Sequence, residues 1–79
     1  MKYLDLTAQS GQIHVYVNLA AISHIVARSG ETTLVLESGV AYVISDVGPN
    51  VLERIRRAET EPEPWPTLQL APVQESKLG

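Results

Sequence analysis

The chain has 79 residues, nine acidic and six basic, with 44% hydrophobic residues, no cysteine and a net charge of −3. That length supports one small core at most, where self-association often helps, and the missing cysteines exclude disulfides and thiolate chemistry. No run approaches the roughly 18 apolar residues of a membrane span, and MKYLDLTAQSG at the start has no apolar stretch of signal-peptide length. A soluble, cytoplasmic protein is therefore expected.

Residues 2–6 read as a first strand, with Leu4 and Leu6 on one face and Tyr3 and Asp5 on the other. Ala8-Gln9-Ser10-Gly11 suits a hairpin loop. Ile13, Val15 and Val17 then share a face at period two, with His14 and Tyr16 opposite. Asn18 can cap a single helical turn over Leu19-Ala20-Ala21. Three β-branched runs follow, residues 22–28, 32–37 and 40–45, joined by Ser29-Gly30-Glu31 and Ser38-Gly39. Loops that short join antiparallel neighbours, so the three runs form a meander.

A helix is expected over residues 47–58. Ser45 or Asp46 can cap it, and Pro49 falls in the first turn, where its missing N–H is harmless. Val51, Leu52, Ile55 and Ala58 make an apolar stripe that must pack on the sheet, with Ile55 buried there. Glu53, Arg54, Arg56 and Arg57 face outward, and Glu53 with Arg57 has the spacing of an ion pair. The fold class is thus mainly β (α+β): an antiparallel meander of four to five strands with one amphipathic helix packed on it. Residues 1–58 make this domain, and residues 59–79 an acidic tail containing prolines and the only tryptophan. Glu61-Pro62-Glu63-Pro64-Trp65-Pro66 favours an extended path, and Thr67-Leu68-Gln69-Leu70 has the alternation to join a sheet edge.

The stretch 18–55 resembles the small flagellar FlbD-like proteins and, more distantly, the strand core of LytTR-type domains. The resemblance rests on Asn18 before a short turn, Ile22 and Ile25 on the next strand, and Thr33-Leu34-Val35-Leu36. It continues with Gly39, Tyr42-Val43-Ile44 and a closing helix reading Val51-Leu52-Glu53-Arg54-Ile55. It covers about half the chain. Val40-Ala41 stands where that family commonly has lysines, and the proline-containing tail is extra. The resemblance implies a compact meander with a helix and a non-enzymatic role in an assembly.

Chemistry-bearing motifs are sparse. His14 and His24 are the only histidines and lack ligand spacing, so no metal and no cofactor is expected. Both are read as ordinary sheet-face residues, and His24, in register with Ile22 and Val26, is also open to a partly buried, hydrogen-bonded reading. No serine sits in a nucleophile elbow. Ser23 and His24, as neighbours on a strand, are expected on opposite faces, and carboxylates occur singly. The chain is therefore expected not to be an enzyme, and no small-molecule substrate is expected.

Two surfaces remain as candidates. Trp65, Leu68 and Leu70 are candidate partner-binding residues. Trp65 either docks on this molecule or a neighbouring copy, or serves as a linear motif for another protein. Arg28, Arg54, Arg56 and Arg57 are candidates for anion or nucleic-acid contact, against the plainer reading of a solvated helix face. The expected function is a protein-interaction module, an accessory subunit of a bacterial or phage assembly, with itself and another protein as partners. The alternative is a nucleic-acid-binding regulator using the arginine helix, although the neutral body and acidic tail lack general attraction for phosphates.

Overall fold

A computed structural model describes residues 2–60 and 65–74. The alternations fold as their periods dictate. Strand β1 (Tyr3–Thr7) buries Leu4 and Leu6 and pairs antiparallel with β2 (His14–Asn18), which buries Val17. The hairpin loop between them closes with the Ala8 amide donating to Ile13 O at 2.9 Å, and Gly11 takes the left-handed φ of 77°. A single 3-10 turn, Leu19–Ala21, follows, and Asn18 Oδ1 accepts from the Ala20 amide as its cap.

Strands β3 (Ile22–Arg28), β4 (Glu31–Leu36) and β5 (Ala41–Ile44) form the expected antiparallel meander. The architecture is mainly β with one helix, but it is not one sheet. The order is β2-β1-β6 in one three-stranded sheet and β3-β4-β5 in the other. The capped turn at 19–21 redirects the chain where a hairpin would have kept β2 and β3 paired. Helix α1 (Gly48–Thr60) and both inner faces share one core, formed by Leu4, Leu6, Val17, Leu34, Ile44, Val51, Leu68 and Leu70.

The sixth strand, β6 (Thr67–Gln69), runs parallel to β1 with Leu68 opposite Leu6. Its continuation crosses to the other sheet. Leu70 bridges Ile44, the Ser45 amide donates to Gln69 O at 2.8 Å, and the Ala71 amide donates to Val43 O at 2.9 Å. Gln74 Oε1 then accepts from the Val43 amide at 3.2 Å, so the segment after β6 lies along β5. The expected extended path over 61–64 lies outside the described residues.

The start of α1 differs in detail from expectation. The Val47 carbonyl accepts the first helical bond, from Val51 at 3.2 Å, so Val47 holds the cap position. Asp46, one residue earlier, accepts from the Val47 amide at 2.7 Å and from Asn50 Nδ2 at 3.1 Å. Buried Thr32 fixes this corner by donating to the Asp46 carbonyl at 2.9 Å. A Cβ on Gly48 would meet Ala27 Cβ at 2.9 Å, so only glycine lets the helix start this close to β3. At the other end Lys2 Nζ donates to the Glu59 carbonyl, a cation on the negative pole of the helix.

The inward stripe is narrower than the sequence suggests. Val51 and Ala58 are buried and Ile55 packs against the core half-buried, but Leu52 is 56% exposed. Positions 51, 55 and 58 already fill the turn-by-turn seam, and 52 lies about 100° away from 51. Leu70→Ala, which empties a fully buried site where the two sheets meet, is expected to cost about 2–5 kcal/mol. Leu52→Ala is expected to stay within about 0.5 kcal/mol. Urea denaturation of both variants checks the contrast, and equal losses would mean that β6 is peripheral.

Candidate functional site

Period two gives each strand of the first sheet a second, outward face. On β1 it carries Tyr3, Asp5 and Thr7, and on β2 His14, Tyr16 and Asn18. The antiparallel register sets Asp5 opposite Tyr16 and Thr7 opposite His14. Parallel β6 adds Thr67 beside Asp5 and Gln69 beside Thr7. Pro66, Leu68 and Leu70 point inward, which leaves Trp65 on the same outward side as Thr67 and Gln69. The Asp5 amide donates to the Pro66 carbonyl at 3.0 Å and fixes Trp65 against β1.

The result is an aromatic cluster on an open sheet face. Trp65 lies with its ring centroid 5.0 Å from Tyr3 and 5.7 Å from Tyr16, tilted by 53° and 62°. These are the tilted and edge-to-face arrangements that ring quadrupoles prefer. His14 stacks on Tyr16 with centroids 6.0 Å apart and 9° between planes. Tyr16 remains 53% exposed. Trp65 thus docks within its own chain and keeps part of its surface in water.

A polar trio completes the face. Thr7 Oγ1 donates to Asp5 Oδ1 at 2.9 Å, and His14 Nδ1 lies 3.1 Å from that oxygen and 3.1 Å from Thr7 Oγ1. The carboxylate accepts only, so it selects the imidazole form with hydrogen on Nδ1. The three residue types match a threonine-histidine-aspartate triad, but the geometry does not. Acid and hydroxyl share one ring nitrogen, whereas a proton relay needs them on opposite nitrogens. The threonine proton goes to Asp5, so His14 is not placed as a base toward Thr7.

His24 is exposed, not partly buried. A β-bulge between Ile22 and His24 inserts an extra residue, so Ile22 and Ile25 point inward while His24 turns out with Val26. The same bulge brings Ser23 Oγ within 3.1 Å of His24 Nδ1, against the opposite-face expectation. Among the described residues no carboxylate hydrogen-bonds the His24 ring, and none forms a cluster of three or more His, Asp or Glu able to hold a metal.

The sequence-derived candidates separate. Trp65 joins the outward face, while Leu68 and Leu70 lie in the core at 3% and 0% exposure. Arg54, Arg56 and Arg57 lie on α1. Arg28 follows Ala27, which packs on Gly48 at the far end of the helix. Eight residues from Gly48 to Arg56 span about 12 Å along the helix, which sets the Arg28 corner apart from Arg56. Tyr3, Tyr16, Asp5, His14 and Thr7 were not singled out as a site, although their outward alternation is readable. The missing step was the hairpin register across residues 8–13.

No family model, curated protein or solved structure matches the chain. Among the described residues, no helix is long and apolar enough to cross a membrane.

The Glu53 carboxylate is engaged by Arg56, through Nη2 at 2.7 Å and Nε at 3.0 Å, where the i, i+4 spacing had suggested Arg57. That hydrogen bond, with the charges of Arg56, Arg57 and Arg54, holds the Glu53 carboxyl below its ordinary range. A lowered folded-state pKa contributes stability above the unfolded value, and that contribution is lost as pH falls through the folded value. Both partners are exposed, so the effect is small and screened by salt. Glu53→Gln is expected to lower the urea midpoint slightly near neutral pH and low salt, with the difference vanishing in acid. A difference that grows on acidification would rule out this pairing.

Proposed function

We propose that the chain is a non-enzymatic protein-interaction module, an accessory subunit of a bacterial or phage assembly, whose contact surface is the outward face of β2-β1-β6. The observation that carries this is the partly exposed aromatic cluster of Tyr3, Tyr16 and Trp65, held on paired strands. Tyr and Trp supply large contact area at low entropic cost, and they dominate the energetic centres of protein interfaces. The polar trio supports the non-enzymatic part, because its hydrogen bonds leave the threonine without a base. The FlbD-like resemblance of residues 18–55 points to the same kind of role.

The nucleic-acid reading has less support. Arg56 is neutralised by Glu53, and the aromatic face carries a carboxylate that repels phosphates. Selection of peptides from a random library on the immobilised full chain tests the proposal. Enriched peptides should bind the wild type and lose binding to Tyr16→Ala, a variant folded by circular dichroism. No enrichment, or equal binding to the variant, would refute it.

Self-association is proposed through the other sheet. Strand β3 is its outer strand, and Ile22–Arg28 carries no proline, no lysine and one arginine. Val26, within that strand, is 37% exposed. Such an edge offers unpaired amides and carbonyls to a second copy in antiparallel pairing. Sedimentation across a concentration series should report association that Val26→Lys weakens and Tyr16→Ala leaves unchanged. A monomer at every concentration would exclude it.

A further inference from the structure

Resting on the proposal that the aromatic face binds a protein, we infer that the partner group received there is a guanidinium, presented by a basic segment of another protein. The face is built for a cation on two grounds. Tyr16 is 53% exposed, and the faces of aromatic rings carry the negative end of the ring quadrupole. Its centre is Asp5, directly opposite Tyr16 in the β1–β2 register, with its side chain 16% exposed.

The hydrogen-bond count favours an incoming donor. A carboxylate offers about four acceptor positions. Thr7 and His14 both direct their short contacts to Oδ1, at 2.9 and 3.1 Å, while Oδ2 has His14 Nδ1 at 3.3 Å. Oδ2 therefore keeps acceptor capacity beyond its one longer contact with His14, on a face that carries no lysine or arginine among the described residues. The outward positions of the three strands are Tyr3, Asp5, Thr7, His14, Tyr16, Asn18, Thr67 and Gln69, with no lysine or arginine among them.

Guanidinium fits better than ammonium. It is planar, weakly hydrated and always charged, so it can stack on Tyr16 while donating to Asp5. An ammonium would meet the carboxylate as a point charge and gain less from the ring. The rings themselves are packed centroid to centroid at 5.0 and 5.7 Å, which leaves no cage between them for a methylated ammonium. The cation must lie over the face, along the Tyr16 side. The chain's own Arg56 donates two hydrogen bonds to Glu53, which disfavours that residue of a second copy as the source.

Trp65 is the only tryptophan, so its fluorescence reports on the site directly. The full chain is titrated with three octapeptides in which serine alternates with arginine, lysine or glutamate. The arginine peptide should give a saturable change that weakens with salt, the lysine peptide should bind more weakly, and the glutamate peptide should not bind. Asp5→Asn, which keeps the shape and an acceptor for Thr7, should weaken arginine-peptide binding about two- to thirty-fold, and Tyr16→Ala should do the same. Equal binding of the glutamate peptide, no binding of the arginine peptide, or an unchanged Asp5→Asn variant would overturn the inference. Library peptides that depend on Tyr16 but lack arginine would remove only the cation assignment and leave the interaction face standing. If the arginine peptide disperses a self-association that Arg28→Ala or Arg54→Ala also abolishes, the guanidinium comes from a second copy and the partner assignment fails.

Discussion

The pairing of β6 with β1, and its continuation onto β5, is the contact on which the remaining architecture depends. Each three-stranded sheet alone exposes an apolar inner face and gives α1 nothing complete to pack on. Leu68 extends the inner face of the first sheet beside Leu6, and Leu70 reaches Ile44 of the second. Burial of a leucine contributes about 1.5–3 kcal/mol, so these two side chains are a large share of the stability available to a domain of this size. The contact also joins the two ends of the chain. Loop-closure entropy must be met before β6 gains any of this burial, which suggests that the local hairpins form before β6 closes the two sheets.

That dependence explains which parts were legible. Strands β1 to β5 and the helix follow from local alternation, Gly-containing turns and a capping residue, all of which act within a few residues. The alternation of Thr67-Leu68-Gln69-Leu70 was also visible, but nothing local says that its partner is β1, or that the pairing is parallel. Nor does any local signal divide the strands between two sheets. The turn at 19–21 was readable as a turn, yet its effect on the pairing of β2 with β3 is a matter of direction, which composition does not encode.

The smaller departures share one cause. At His24 the period-two reading fails because a bulge at Ser23 changes the phase of the strand, so one inserted residue reverses the facing of His24 and brings the two side chains together. At Leu52 the helical reading fails because an apolar residue on the border of the stripe can lie on either side of it. At the helix start the sequence offers Ser45 or Asp46 as the cap, whereas Val47 holds that position and Asp46 acts from one residue earlier. In each case the residue type is informative and the phase is not.

Phase also couples the core to the candidate site. On β1 the residues that bury, Leu4 and Leu6, alternate with those that face out, Tyr3, Asp5 and Thr7. On the tail, Pro66 and Leu68 alternate with Trp65 and Thr67. Trp65 can therefore meet Tyr3 and Tyr16 only while Leu68 occupies its place beside Leu6. The aromatic face and the closure of the two sheets are formed by one event seen from opposite sides of a sheet. A ligand that binds the completed face must stabilise the closed chain by mass action, by about 2.7 kcal/mol at a hundredfold excess over Kd. The same linkage makes binding sensitive to core substitutions that never touch the surface, because weakening the Leu68 or Leu70 contacts lowers the population able to bind.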